Sequence, residues 1–175
     1  MKLKIKTKAL SLPLVNYDTQ SVLLTLGAVF CISAVPLIFA HTPQNQIITG
    51  SLVNLILFAA VARLGLFNAL ILCPIPSLIA LLRGLLPAML APVIPIIILS
   101  NAVLVIAFQV LKQRSGITKV VAASFLKTAF LYTLVALLFS VPEQFKYMIS
   151  LNQALTALIG GTFFLGLNQI KLKQK

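Results

Sequence analysis

Residues 21–40 read SVLLTLGAVFCISAVPLIFA, an uncharged apolar run of 20 residues. As a helix it measures about 30 Å, the thickness of a bilayer's hydrocarbon core. Lys2, Lys4, Lys6 and Lys8 precede it and Ala40 closes it, the outline of a secretory signal. The run nevertheless exceeds the roughly 7–15 apolar residues of a signal core, so a retained first membrane helix is expected. The intervening residues 9–20, with Pro13 and Asp18, are expected to lie along the inner membrane face.

Working outward, comparable apolar segments recur at residues 49–64, 66–82, 88–111, 120–140 and 148–170. The fold class expected is an all-α integral membrane protein. Six transmembrane helices over residues 21–170 would follow a basic N-terminal segment, 1–20, and precede a basic tail, 171–175. Composition agrees: of 175 residues, 60% are hydrophobic and 9% charged, against about 25% charged in soluble domains. A soluble globular enzyme is thereby excluded. The connections are short, and no internal repeat suggests an inverted-repeat transporter.

Lysine and arginine number 14 against 2 acids. The basic residues stand singly between apolar segments and form no patch, so a lipid bilayer is the expected partner and nucleic acid is not. With the N-terminus inside, the four N-terminal lysines, Arg63, Lys112, Arg114, Lys119, Lys171, Lys173 and Lys175 fall on the cytoplasmic side, and Arg83 and Lys146 outside, a split of 11 to 2. The positive-inside rule then places both termini in the cytoplasm of a cell that carries this chain in its plasma membrane. Only an even number of spans satisfies that.

Little in the chain resembles catalytic machinery. No GxxxxGK[ST] phosphate loop occurs, and His41 sits alone in the first outer loop. Asp18 and Glu143 lie near opposite surfaces, so no carboxylate pair or metal centre is expected, nor any catalytic residue or cofactor. Cys31 and Cys73 read as small apolar fillers.

Polar residues inside the spans carry more information. Asn54, Ser100, Asn101, Lys127, Asn152, Gln153 and Thr156 are expected to face the bundle interior, because unpaired polar groups are costly in hydrocarbon. They either bond across helices or line a small-molecule pocket open to the outside. Between Cys73 and Pro95 five prolines, Pro74, Pro76, Pro87, Pro92 and Pro95, interrupt the helical backbone. That stretch is either a cavity wall or a set of ordinary kinks. Lys127 likewise has two readings. No acid lies in any span, so its ammonium lacks an internal counter-ion and an anionic ligand would supply one; alternatively, it bonds structurally within the bundle or, in a helix beginning near Ala122, its stem snorkels to the cytoplasmic interface. Gly27, Cys31 and Ala34 set small side chains on one face of the first helix, for a partner subunit or for packing within the bundle.

Several stretches resemble the substrate-binding S-components of energy-coupling factor (ECF) transporters: TGSLVN at 49–54, PSLIALL at 76–82, PVIP at 92–95, SNA at 100–102, ASFLK at 123–127 and TALIGG at 156–161. The likeness spans residues 20–170. It implies a six-helix subunit that captures a vitamin, a precursor or a metal ion from outside and works with a transmembrane T-component and two ATPase subunits. It also implies docking through small residues of the first helix, where Gly27, Cys31 and Ala34 are the nearest match to the family's AxxxA pattern. Ligand contacts are implied near the outer loops and the outer halves of helices four to six, which brings in Gln44, Asn45, Asn101, Asn152 and Gln153. A histidine-rich N-terminal site, suggestive of nickel or cobalt, is absent from the sequence, while Lys127 and Arg83 favour an anionic organic metabolite. The competing classes are a membrane scaffold or assembly protein without a ligand, a solo carrier or channel, and a lipid-acting membrane enzyme.

Overall fold

A computed structural model describes residues 19–42, 44–85, 88–140 and 142–173. The described residues form seven α-helices, α1 (Thr19–Ile38), α2 (Asn45–Leu64), α3 (Leu66–Leu72), α4 (Ile75–Leu82), α5 (Ile94–Val110), α6 (Gly116–Leu138) and α7 (Glu143–Lys173), with a 3₁₀ turn at Ala88–Val93. No strand occurs among the described residues. Among the described residues five helical stretches are long and apolar enough to cross a membrane, and α3 with α4 forms a shorter apolar pair. Phe30, Leu82, Val110, Phe125, Leu137 and Phe163 point outward and exposed, as lipid-facing side chains do and as those of a soluble domain rarely do. The protein is an all-α, multi-pass membrane protein with the makeup of a six-helix bundle.

Sequence chemistry sets the element ends. Gly65 joins α2 to α3 at φ 86°, a left-handed geometry open to glycine at little cost. Pro74 and Pro76 divide the third apolar segment into α3 and α4, and the Cys73 carbonyl at the break accepts from Asn101 Nδ2 at 3.4 Å. Pro95 falls in the first turn of α5, where its missing donor disturbs no helical bond. Ser115 caps α6 by accepting from the Thr118 N–H at 3.2 Å. Three helices run further than their apolar stretches suggest, and the first is α2, which begins at Asn45, ahead of the expected Thr49. Helix α6 begins at Gly116, ahead of the expected Val120, and α7 begins at Glu143, ahead of Met148. The proposed path of residues 9–20 along the membrane lies outside the described residues, except that Thr19 and Gln20 open α1.

Neighbouring helices close a ring in the order α1, α2, α7, α6, α5, α4, and α3 fills one end between α2 and α5. At that end Phe58, Phe108 and Phe164 pack with ring centroids 5.0 to 6.1 Å apart, and Lys119 lies 4.9 Å over the Phe108 ring. The principal core surrounds this cluster and includes Leu57, Leu72, Leu104, Ala123 and Ala157. Glycines bring α7 close: a Cβ at Gly160 would collide with the backbone of α2 at Ser51 and Leu55, and one at Gly161 with the Val120 side chain. Arg63, Lys112, Arg114 and Lys119 gather at this closed end, while Arg83 and Lys146 occupy the other. By the positive-inside rule the closed end faces the cytoplasm.

Candidate functional site

The opposite, charge-poor half of the ring encloses a cavity of about 230 Å³, larger than the roughly 150 Å³ needed to hold a benzene. Its walls come from α1, α2, α4, α5, α6 and α7. On α2 the cavity face repeats at helical spacing, with Asn45, Thr49 and Val53 in one row and Gln46, Gly50 and Asn54 in the next. Helix α7 presents Phe145, Met148, Ile149, Asn152, Gln153 and Thr156 in the same manner. The proline-rich stretch contributes Pro76, Ser77 and Ala80 from α4, so its outer part is cavity wall.

Exposure falls with depth. Gln46 is exposed, Asn45, Asn152 and Gln153 are half-buried, and Asn54, Asn101, Thr156 and Lys127 are buried. A connected polar network forms the floor. Lys127 Nζ donates to Asn54 Oδ1 at 2.8 Å. Asn54 Nδ2 donates to the Gly50 carbonyl at 2.8 Å and to Thr156 Oγ1 at 3.2 Å, and Thr156 Oγ1 donates to the Gln153 carbonyl at 3.1 Å. One amide thereby ties three helices together, and its orientation is fixed because both of its ends are engaged.

The structure excludes snorkelling for Lys127 and shows it bonded within the bundle. Because Ser115 caps α6 at Gly116, Lys127 stands 11 residues from each end of a 23-residue helix, about 16 Å from either. It is only 1% exposed, and its ammonium points inward to Asn54. Snorkelling required a later helix start and a side chain directed toward the interface, and neither is present.

Of the expected substrate contacts, Asn45, Asn54, Asn101 and Lys127 line the cavity, as do Asn152, Gln153 and Thr156. Ser100 does not. It is fully buried beside Asn101, and its hydroxyl donates to the Ile97 carbonyl at 2.8 Å within α5. Gln46, Thr49 and Ser77 also line the cavity although sequence reading did not select them as contacts. Repetition of Asn45 at a spacing of four was the available signal for Thr49. Gly27 and Cys31 are exposed on the outer face of α1, and a Cβ at Gly27 would meet nothing within 4 Å. Those two positions are not spent on packing within the bundle, whereas Ala34 is half-buried. Among the described residues no cluster of three or more metal-ligating side chains occurs.

No family model, curated protein or solved structure matches the chain.

Proposed function

We propose that this protein is the membrane-embedded substrate-binding subunit of an ECF-type importer in the plasma membrane, capturing a small vitamin-like or other organic metabolite from outside. The observation that carries the reading is the blind cavity. It occupies the charge-poor half of the bundle, runs from the exposed Gln46 to a buried, hydrogen-bonded floor, and is backed by the aromatic cluster of the closed half. A pocket of this form suits capture and retention more than conduction, because a conducting path needs weak sites in series and a second opening. The sequence contains no phosphate loop, so energy would come from separate ATPase subunits engaged through a T-component. The outward Gly27 and Cys31 on α1 offer a flat surface for that association.

Native mass spectrometry of the protein purified in mild detergent from its own host tests the proposal. The expected result is a retained small molecule together with a membrane partner and two ATPase chains. A protein recovered empty and alone, and not stabilised by a panel of vitamins, would favour a scaffold. Retention of a metabolite without those partners would favour a solo carrier.

A further inference from the structure

The binding-subunit reading leaves the ligand's chemistry open, and the floor of the cavity restricts it. Lys127 is buried at mid-membrane depth, where an unpaired ammonium is costly. The chain contains two acids. Asp18 precedes α1 in sequence and lies outside the described residues, and Glu143 stands at the far end of α7 with its carboxylate on Lys146 Nζ at 2.7 Å. Among the described residues no carboxylate therefore meets Lys127. Its hydrogen-bond partner is Asn54 Oδ1, an amide oxygen that accepts a bond and carries no charge.

The network also has a direction. Asn54 Nδ2 is committed to Gly50 and Thr156, and the Thr156 hydroxyl proton to Gln153. An ammonium has three donors, and Asn54 takes one, so Lys127 keeps two uncommitted donors and supplies the charged ones, beside a second N–H of the Asn101 amide. Above them the wall mixes apolar side chains, Val53, Ala80, Ile97 and Ile149, with the polar Thr49, Ser77 and Asn152, and Asn45 of α2 and Phe145 of α7 stand nearest the outer ends of their helices. Asn45 and Asn54 are nine residues apart on α2, about 13 Å along its axis.

We infer that the cavity selects an elongated organic anion, whose single anionic group, a carboxylate in the simplest case, enters first and pairs with Lys127 at the floor while a largely apolar body fills the shaft above it. This rests on the proposal that the cavity is a ligand site. The anion replaces the counter-ion that the fold omits, forming a charge-assisted hydrogen bond of the stronger kind.

Thermal unfolding in lipid nanodiscs tests the inference, with hexanoate, octanoate, decanoate and 3-phenylpropionate compared with the matching primary amides and alcohols. The expected result is stabilisation by at least one acid and none by its amide or alcohol. In Lys127→Met the affinity for that acid should fall about 10- to 100-fold. Asn54→Asp supplies an internal carboxylate beside Lys127 and should fold while losing the acid response to a similar degree, so the test does not depend on one variant. Negative-ion mass spectrometry of small molecules extracted from the protein purified from its host should find an acid in the wild type and none in Asn54→Asp. Equal stabilisation by acids and amides, a response that survives Asn54→Asp, or no response to any acid would each overturn the inference. The first two of these would leave the binding-subunit reading in place, because it is judged by co-purification with its partner chains.

Discussion

The two halves of the bundle use the same helices in opposite ways. On the cavity side, α2 and α7 carry Asn45, Thr49, Asn152 and Gln153 and stand apart around open space. One or two turns deeper the same helices carry Phe58, Ala157, Gly160, Gly161 and Phe164 and meet closely enough that Gly160 has no room for a methyl group. Lipid tails are as apolar as the helices, so helix association in a bilayer depends on close contact and on interhelical hydrogen bonds. The closed half supplies the contact. It thereby leaves the open half free to hold a cavity, and the Lys127–Asn54–Thr156 network marks the boundary between them.

Breaking the closed half should cost most. Phe58→Ala removes the ring common to two of the three aromatic contacts and is expected to lower unfolding stability by about 3–5 kcal/mol, measured by denaturant titration in mixed micelles. A loss under about 1 kcal/mol would mean that the halves contribute equally. Gly160→Ala should cost about 1–3 kcal/mol, because the obstructing atoms are backbone of α2 rather than movable side-chain ends. Neutrality there would show that α7 slides easily on α2 and that the closed half is softer than its packing implies.

Smaller effects sharpen the comparison on the cavity side. Asn101→Leu leaves the Cys73 carbonyl at the α3–α4 break without its side-chain donor and should cost about 1–2 kcal/mol of stability, with weaker ligand binding in an isothermal titration. Unchanged affinity would make Asn101 a purely structural member of the wall. Gly27→Leu should move the isolated subunit by no more than about 0.5 kcal/mol, since a side chain there meets nothing in the bundle. Its effect is expected instead on recovery of the partner chains, and undiminished co-purification would remove this face from the docking surface.

The spans were legible as apolar runs because a bilayer imposes a minimum length, and the break at Pro74 was foreshadowed by proline chemistry. Helix ends were harder. Capping at Ser115 and the polar first turn of α7 extend helices beyond their hydrophobic stretches, and that extension moved Lys127 from an interfacial position to mid-helix. Buried amides were correctly expected to face inward, yet Ser100 shows that residue type does not indicate which inward direction a side chain takes. Its neighbour Asn101 reaches the cavity while Ser100 bonds within its own helix.

The sequence alone determined the membrane class and the even number of crossings, because hydrophobic length and basic-residue distribution act locally, segment by segment. It also settled that none of the six apolar runs contains an acid. Only the tertiary structure decided which helices adjoin, that α2 and α7 close at their glycines, and that Lys127 meets Asn54 across 73 positions of chain. These depend on side-chain shape matched between distant helices. Hydropathy does not encode that match, since every lipid-facing and core-facing leucine has the same affinity for hydrocarbon.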